Sequence, residues 1–336
     1  MKEMKNEESK DPHEDSGFLR NLLVGDEEKK RFKTTSGIEL KLVYVPDDLK
    51  ETDYNRDIGN PGEYPYTRGI YPGMYRVVPW RGGHAAGFEG ISESMERMDE
   101  LKAALKQGGG KMLVGFQFRF HPGLQQAKKL LDDGAIGNLV SVRSHWGEYL
   151  PDWHPWEDYR QSYAARKDLG GGVVRTLCHP LDYLRWMVGE LESAWAFSGN
   201  LGGLDINVED VSEIGLQFDR GVLGSVHLDF CQRPPRHTLE MIGNQGTITW
   251  DNETGGTRMY RAEKGAWEDF PVPEGFDRND LFLAEMRNFI NMIAGKEEAI
   301  CSFEDGVRAM EIVLAVCQSS RFHSWVELDK LPGDFA

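Results

Sequence analysis

The sequence predicts an α+β fold built on an open, mostly antiparallel sheet with helices on one face. Short segments of alternating apolar and polar residues follow one another between residues 193 and 262, which is the pattern of strands in a meander. Tight-turn sequences join consecutive segments, namely Asp219-Arg220-Gly221 and Gly243-Asn244-Gln245-Gly246. Amphipathic segments gather before and after this meander, an order typical of a sheet whose one face is covered by helices.

Composition and charge exclude several classes of partner. The chain has 336 residues, enough for two ordinary domains, and a formal net charge of −16. This acidity disfavours nucleic-acid phosphate and anionic lipid, and no segment approaches the ~20 apolar residues of a membrane span, so we expect no nucleic-acid and no membrane partner. The four cysteines lie far apart without a C-x-x-C pair. We therefore expect no metal site and no disulfide framework, and a cytoplasmic location.

The first ninety residues differ from the rest of the chain. Residues 1–33 are rich in charged residues and are predicted to form a flexible tail. Residues 34–90 are dense in Gly, Pro and Tyr, and apart from one predicted strand at Ile38–Val45 they lack a regular period. An irregular, extended segment is the structure that this composition favours.

From Ile91 onward the pattern becomes regular, and each element can be assigned in order. A helix is predicted at Ser94–Lys106, ended by three glycines, and the apolar run Lys111–Phe118 is predicted to be a buried strand. The other predicted helices are Pro122–Asp132, Val173–Val188, Asn279–Ala294 and Phe303–Ser320. The other predicted strands are Leu139–Tyr149, Ser193–Asn200, Val211–Phe218, Leu223–Phe230, Thr238–Ile242, Thr247–Trp250 and Arg258–Ala262.

Three stretches of this region carry a family resemblance. They are Met112–Pro122 (MLVGFQFRFHP), Asp133–Arg160 and Asp168–Gly189. In this order and spacing, the region from about residue 91 to residue 321 resembles the Gfo/Idh/MocA oxidoreductases. The resemblance implies a sugar or nucleotide-sugar substrate and hydride transfer with NAD or NADP. It also implies that residues 121–336 form the substrate and oligomerisation domain, and that residues 91–120 are the last helix and strand of a nucleotide-binding domain.

The Gly-rich nucleotide loop of that family does not occur in this sequence. A dinucleotide fold needs it, because glycines let backbone N–H groups approach the pyrophosphate. The nearest candidates are Gly108-Gly109-Gly110, which ends a helix, and Gly170-Gly171-Gly172, which begins one in the substrate domain. The family's Glu-Lys-Pro lysine is also missing, since the run here is Phe88-Glu89-Gly90-Ile91-Ser92. We therefore expect no complete Rossmann domain, and NAD or NADP binding that is weak or absent.

Residues 34–88 resemble a different family, the large subunit of methylmalonyl-CoA mutase. The specific stretches are Tyr64–Gly69 (YPYTRG) and Tyr71–Tyr75 (YPGMY). In that family the segment leads into a cobalamin-dependent barrel, but no barrel sequence and no D-x-H-x-x-G motif follow here. Aligned without gaps, Ala85 and Gly83 occupy the positions of the active-site tyrosine and its neighbouring arginine. We expect no cobalamin and no mutase reaction, and we interpret the chain as a fusion of two families.

Four residues are candidates for catalysis or for contact with the reactants. The resemblance implies that His179 faces the reacting carbon as an acid/base, a role that suits imidazole; a core histidine bonded to backbone is the alternative. Asp182, one turn later, is expected either to orient His179 or to pair with Arg185 on the helix surface. Arg175 stands where many relatives have an aspartate and is a candidate contact for an anionic substrate. Arg119 is a candidate cofactor contact on the nicotinamide side.

The segment Asp152–Lys167 is crowded with aromatic and cationic residues and is a candidate substrate lid. Aromatic faces stack on sugar rings, while Arg and Lys side chains hold phosphate or carboxylate groups. Packing against a neighbouring subunit is the alternative interpretation. The candidate substrate-binding residues in this segment are Trp156, Tyr159, Arg160, Tyr163 and Lys167.

The sequence thus predicts a sugar oxidoreductase of the Gfo/Idh/MocA kind, impaired by the missing nucleotide-binding half and lysine. A non-catalytic sugar-binding or oligomerisation module, and a partner that docks on an acyl-CoA mutase through residues 34–88, are the alternatives. A homo-oligomer through the sheet face is also expected. Val226, Leu228 and Phe230 lie on one side of their strand and would form an apolar patch unless the two C-terminal helices cover them.

Overall fold

The computed structural model describes residues 39–41, 44–69, 72 and 91–331. The chain divides into two compact units, Met1–Gly83 and His84–Ala336. The first unit contains a 3-10 turn at Pro46–Leu49, one π-helical turn at Tyr54–Ile58, and further turns. The predicted tail, residues 1–33, and part of the strand predicted at residues 38–45 lie outside the described residues. The four predicted segments of the chain stay predictions.

Nine strands of the second unit form one open sheet in the order β8-β7-β6-β5-β1-β4-β3-β2-β9. Neighbouring strands run antiparallel except β1 and β4, which are parallel. The strands are β1 Leu139–Gly147, β2 Leu191–Gly199, β3 Val211–Phe218, β4 Leu223–Asp229, β5 Arg236–Gly243, β6 Gly246–Asp251, β7 Thr257–Arg261, β8 Ala266–Phe270 and β9 Val326–Glu327. This confirms the predicted α+β class, the mostly antiparallel sheet and the two hairpins β3–β4 and β5–β6.

Helices cover one face of this sheet. The α-helices of the described residues are α1 Ile91–Gly108, α2 Pro122–Asp132, α3 Val173–Thr176, α4 His179–Val188, α5 Asn279–Ile293 and α6 Phe303–Phe322. Four of them pack on the sheet. Helix α6 packs on β2, α4 on β1, α3 on β3 and β4, and α2 on β6 and β7. Of the helices in the described part of the chain, none has the length and apolar character that crossing a membrane requires.

The two faces of the sheet differ in burial because successive side chains of a strand point to opposite sides. Ser144 and Trp146 of β1 are buried on the side of the helices, which we call the covered face. Arg143 and His145 point to the other side, the open face, and are exposed or half-buried. Each strand in the middle of the sheet therefore contributes both to the core and to an accessible surface.

Two predicted elements were wrong in their form. The run Lys111–Phe118 is not a strand: it has a single bridge, between Leu113 and Ser302, and ends in a 3-10 helix at Gln117–Phe120. A strand needs a partner along its length, and none of the described strands lies beside this run. The single helix predicted at residues 173–188 is two helices, α3 and α4, because Pro180 lacks an N–H and its ring excludes the carbonyl four residues earlier.

The apolar patch expected on β4 is internal to the chain. Val226 is 1% exposed, and Leu228 and Phe230 are fully buried. These residues therefore need no second copy of the chain to bury them, and self-association through them stays untested. Helix α3 packs on β4, and α6 packs on β2 of the same sheet, whereas much of the apolar surface of α5, including Met286 and Ile290, remains exposed.

Candidate functional site

Arg119 and Asp182, two of the predicted site residues, form a buried ion pair. Arg119 Nε and Nη2 donate to the two carboxylate oxygens of Asp182 at 3.0 and 2.7 Å, and both residues are 1% exposed. Arg119 Nη1 also donates to the Ile300 carbonyl at 2.9 Å and lies 3.3 Å from Asp305. This guanidinium is enclosed by its own chain, so the expected contact with a nicotinamide cofactor does not fit its position.

Asp182 is hydrogen-bonded to neither of the two partners expected for it, His179 and Arg185. The carboxylate of Asp182 points to Arg119, and the Nδ1 atom of His179 has no hydrogen-bond partner among the described residues. Arg185 pairs instead with Asp305 at 2.8 Å and with Glu190. A buried carboxylate is stabilised by a cation that is buried with it, and Arg119 is such a cation. The ion pair therefore connects the first turn of α4 to the 3-10 helix Gln117–Phe120.

His179 begins α4 and lies among aromatic rings. Its ring centroid is 5.4 Å from that of Phe116, 5.2 Å from Phe118 and 5.4 Å from Trp146. Burial, together with the positive charge of Arg278, lowers the pKa of His179 to about 4. The imidazole is therefore neutral at pH 7, and near that pH a proton on it would need a neighbouring group that stabilises the charged form.

His179 belongs to a group of rings that we call the histidine–aromatic cluster. Its members are His121, His179, His237, Phe118, Trp146 and Trp250. His237 stacks on Trp146 with a centroid distance of 4.3 Å and an interplanar angle of 2°, and Trp250 meets the His237 ring edge-on at 4.9 Å. Burial lowers the pKa of His121 to about 4 and that of His237 well below its usual value. All three histidines are therefore neutral near pH 7.

Three nitrogen atoms of the cluster are buried without a hydrogen-bond partner among the described residues. They are His179 Nδ1, His237 Nδ1 and Trp250 Nε1. The other ring nitrogen of His237 is paired with the Tyr183 hydroxyl at 3.1 Å, so its orientation is fixed. Leaving a buried polar group unpaired costs about 1–3 kcal/mol, and native proteins leave few of them. Polar molecules in or beside the cluster would remove this cost.

A cavity of about 350 Å³ opens against the cluster. This volume lies in the range of small-molecule sites, and a wall of rings with a few polar groups is their usual lining. Its aromatic and histidine lining is Phe118, His121, Trp146, His237 and Phe276, and its polar lining includes Glu148, Asn252, Asp277 and Arg278. His179 is not part of the lining but contacts Phe118 and Trp146, which are. The cavity can hold a ring-shaped, hydroxylated molecule.

The residues of the predicted lid lie away from this cavity. Trp156 is 75% exposed. The Arg160 guanidinium pairs with Asp158 and lies 3.3 Å from Asp205, and the backbone N–H of Lys167 donates to Asn207 Oδ1 at 2.8 Å. The segment therefore packs on the loop that contains residues 205 and 207, and it does not line the cavity in this structure.

The two tyrosines of the same segment differ. The Tyr159 ring packs against the core and lies 5.9 Å from the Arg160 guanidinium. Burial and the neighbouring Cys178 thiol raise the pKa of Tyr163. Because Cys178 directly precedes α4, the Tyr163 hydroxyl lies near the start of that helix. Tyr163 is thus the lid residue that the structure brings towards His179.

Arg175 also lies outside the cavity. It lies near the buried carboxyl of Glu209 and the thiol of Cys317. Burial raises the pKa of Glu209, and the backbone N–H of Val174 and the charge of Arg175 oppose that rise. Arg175 compensates a carboxylate of its own chain, so an anionic substrate would have to compete with Glu209 for it.

Neither run of three glycines forms a phosphate cradle. A Cβ added at Gly108 or Gly109 would meet nothing within 4 Å, so these glycines enclose no ligand. A Cβ at Gly171 would lie 2.3 Å from the Tyr163 carbonyl oxygen, and one at Gly172 would lie 2.2 Å from Glu209 Oε1. Carbonyl and carboxylate oxygens repel a phosphate, whereas a phosphate-binding loop presents backbone N–H groups to it. Neither of these two glycine runs therefore encloses a pyrophosphate.

The cavity lining was largely missed by sequence reasoning. His121, Trp146 and Glu148 lie within the stretches that carry the family resemblance, and Trp146 Nε1 donates to Glu148 Oε1 at 2.7 Å. The predicted strand pattern offered a signal, since residues 146 and 148 are two positions apart. His237 and Arg278 come from β5 and from the residue before α5, and no local pattern connects them with β1.

Comparison with known proteins shows what the sheet region is similar to. Residues 124–249 match the family model of the GFO/IDH/MocA C-terminal domain. Levoglucosan dehydrogenase of Pseudarthrobacter phenanthrenivorans is 25% identical over 302 residues, covering 74% of this chain and 75% of that protein. The fold is shared with the WlbA dehydrogenase of Bordetella pertussis, solved with NADH and UDP-GlcNAcA, at a TM-score of 0.57 and 20% identity over 72% of this chain and 70% of that one.

A second family matches the other end of the chain. Residues 33–144 match the methylmalonyl-CoA mutase model. The probable mitochondrial methylmalonyl-CoA mutase of Caenorhabditis elegans is 36% identical over 92 residues, which are 27% of this chain and 12% of that protein. The resemblance of the chain to two families is thereby confirmed. The two matches overlap at residues 124–144, where the structure has α2 and β1 of the sheet unit.

Proposed function

We propose that the cavity binds a sugar, or the sugar part of a nucleotide-sugar, and that the sheet unit is the substrate half of an oxidoreductase. The unpartnered nitrogen atoms of the histidine–aromatic cluster, next to a ring-lined cavity of about 350 Å³, carry this proposal. Ring faces stack on the C–H faces of a sugar, while the polar atoms of the lining bond its hydroxyls. The names of the relatives, levoglucosan dehydrogenase and a WlbA dehydrogenase bound to UDP-GlcNAcA, support the same substrate class.

Each part of the lining has a role in this proposal. Phe118 and Trp146 supply the stacking faces, and Glu148 and Asp277 accept hydrogen bonds from hydroxyl groups. Arg278 at the rim bonds an acidic or phosphate group of the ligand. His179, behind the stacking rings, is the proposed acid/base, because its free Nδ1 atom can exchange a proton with a hydroxyl that reaches it.

The segment Asp152–Lys167 stays the proposed lid, and Arg175 stays a proposed contact for an anionic substrate. Lid loops close over a substrate only after it has bound, so in the open position they lie outside the cavity. Trp156 and Lys167 are exposed and can change position without loss of core packing. Tyr163 is the residue from which closure would start, since it already lies near α4.

We further propose that hydride transfer is impaired in this chain. Oxidoreductases of this kind use a nicotinamide cofactor for that step. The sequence holds no G-x-G-x-x-G and no Glu-Lys-Pro, Arg119 is enclosed, and both runs of glycine lack a cradle. A protein that binds sugar without turnover is the outcome that these features favour.

Calorimetric titration of the full chain with levoglucosan, D-xylose and UDP-glucose, followed by NADH and NADPH, tests the proposal. We expect UDP-glucose, whose diphosphate can pair with Arg278, to bind, and its affinity to fall at least about tenfold in Arg278→Gln, roughly 1.4 kcal/mol. Arg287→Gln is the matched control, because Arg287 is equally exposed on α5 but does not line the cavity. We expect neither nicotinamide cofactor to bind in the low micromolar range.

Two outcomes would contradict the proposal separately. If none of the three sugar probes bound, or if Arg287→Gln weakened binding as much as Arg278→Gln, the cavity would not be the sugar site. If NADH or NADPH bound at low micromolar concentration, about −8 kcal/mol, the claim of impaired hydride transfer would be wrong while the sugar site could stand.

Self-association and location complete the proposal. Because Val226 is internal, copies of the chain would meet through the open face, where Phe197 and Leu223 are exposed. Light scattering should then show a mass above that of one chain, and Phe197→Glu should reduce it.

The four free cysteines favour a reducing compartment, for which we propose the cytoplasm. Docking of residues 34–88 on an acyl-CoA mutase stays a prediction.

A further inference from the structure

The open face of the sheet carries a second group of chemically active side chains, on the opposite side from the cavity. His145 on β1 and His227 on β4 are direct partners in the parallel register, and their rings stack at a centroid distance of 4.5 Å. Asp229 lies two residues beyond His227 on the same side of β4. One nitrogen of each histidine and a carboxylate oxygen of Asp229 all lie within 4.8 Å of one another.

The spacing of these atoms suits a four-coordinate metal ion. Zn²⁺ binds imidazole nitrogen at about 2.0–2.1 Å and carboxylate oxygen at about 2.0–2.2 Å, so neighbouring ligand atoms of a tetrahedron lie roughly 3.3 Å apart. His227 Nε2 and Asp229 Oδ2 are 3.1 Å apart. The strand register holds the His145 ring against that of His227, and His145 Nε2 is paired with Gln232 Oε1, a bond that metal binding through this atom would replace.

His227 and Asp229 are held from behind by further hydrogen bonds. His227 Nδ1 lies 2.6 Å from Glu213 Oε1, and Glu213 is the partner of His227 in the register of β3 and β4. A carboxylate on the far nitrogen fixes the ring and its tautomer, as in carboxylate–histidine–zinc groups. Asp229 Oδ1 accepts from the Cys231 backbone N–H at 2.7 Å, which directs Oδ2 towards His227.

We propose that His145, His227 and Asp229 bind one divalent transition metal ion of the Zn²⁺ type, with Glu213 as a positioning residue. Two imidazoles and one carboxylate favour this class over Mg²⁺ or Ca²⁺, which prefer all-oxygen sites. Three protein ligands leave the fourth position to water. The sequence alone predicts no metal site, because these residues are not closely spaced along the chain and come together only through the pairing of β1 with β4.

Titration of the metal-free full chain, without an affinity tag, with Zn²⁺ and Co²⁺ tests this site. Calorimetry should show one Zn²⁺ per chain, and Co²⁺ should give the visible absorption of a four-coordinate ion. His227→Gln and Asp229→Asn should abolish both signals. Glu213→Gln should weaken Zn²⁺ binding about 10- to 100-fold and shift the Co²⁺ spectrum, at unchanged stoichiometry. His154→Gln, the control at an exposed histidine, should bind like the wild type.

The outcomes separate a metal site from a mere hydrogen-bonded cluster. The proposal is overturned if the folded wild-type chain takes up no Zn²⁺, or if His227→Gln and Asp229→Asn bind it as tightly as the wild type. Circular dichroism of each metal-free variant shows whether it is folded. Should His227→Gln fail to fold, Asp229→Asn decides the ligand set. An unchanged affinity and spectrum in Glu213→Gln would remove its positioning role.

Discussion

Strand β1 contributes neighbouring residues to two sites that treat histidine in opposite ways. Trp146 faces the covered side, where burial among aromatic rings lowers the pKa of His121 and His179 to about 4. His145 faces the open side, next to His227. There two hydrogen bonds raise the pKa of His227, and the bond to Asp229 has a larger effect than the bond to Glu213. One residue step along the strand thus changes the environment from apolar to anionic.

The difference shows what each face can bind. Neutral histidines with unpaired nitrogen atoms offer hydrogen bonds to an uncharged, hydroxylated ligand, which is the chemistry proposed for the cavity. Histidine and carboxylate side chains that are hydrogen-bonded to each other offer nitrogen and oxygen ligands to a cation. This is the chemistry proposed for the open face. The fold keeps the two apart by the alternation of side chains along its strands.

The largest expected effect comes from a charge placed on the covered face. Val226→Lys should destabilise the chain by more than about 4 kcal/mol, because it buries an unpaired ammonium group where Val226 is 1% exposed. Leu223→Lys, on the same strand but 58% exposed, should cost less than about 1 kcal/mol. Urea unfolding followed by circular dichroism measures both. A folded Val226→Lys that only lost its self-association would show that this face is an interface and not core.

A second contrast concerns two ion pairs. Arg119→Met should cost about 3–5 kcal/mol, because it leaves Asp182 buried and uncompensated. The double variant Arg119→Met/Asp182→Leu should recover much of that loss, since both charges are then removed. Arg143→Met, which breaks the exposed pair with Glu240 on the open face, should change stability by no more than about 1 kcal/mol.

The same unfolding assay decides this contrast. If Arg119→Met cost no more than Arg143→Met, the buried pair would not hold α4, and the role given to Asp182 would be wrong. If the double variant were as unstable as the single one, packing of the arginine stem would account for the loss in place of the uncompensated charge.

The fold was predictable to the extent that local patterns determine it. Alternation and turn sequences located β3 and β4 because both strands bury every second side chain. Strand β8 was missed because its residues, AWEDF, are mostly exposed and show no buried alternation. The run Lys111–Phe118 was assigned wrongly because a short apolar run looks the same whether it pairs as a strand or packs irregularly.

The candidate site was less predictable, because distant segments build it. His179 was found through its motif. The partner of Asp182 could not be predicted from spacing along a helix, because Asp182 pairs with Arg119, which lies far away in sequence on another element. The lid was named for its composition, yet Trp156 and Arg160 lie on the surface. Composition indicates what a segment can bind, whereas only tertiary structure shows whether it faces the cavity.

The last prediction uses pH to test the neutral state of the cluster. The pKa of His121 is about 4 in the folded chain, below the value of 6.5 of an unperturbed histidine. The unfolded chain therefore takes up a proton that the folded chain does not, as pH falls from about 6.5 to about 4. The stability linked to His121 is complete above about pH 6.5 and is lost through that window, by at most about 3 kcal/mol.

His121→Asn should flatten this part of the pH dependence while keeping the local structure. The His121 Nδ1 atom accepts the hydrogen bond from the Gly123 N–H at 3.0 Å that caps α2, and an asparagine oxygen can accept the same bond. Urea unfolding between about pH 7 and pH 4 should show a smaller loss of stability in His121→Asn than in the wild type, with His179 and His237 supplying what remains. His154→Asn, at an exposed histidine, should keep the wild-type slope. Equal slopes in all three proteins would mean that His121 takes up its proton over the same pH range in the folded and the unfolded chain, and that the covered face does not exclude a cation as the comparison with the open face requires.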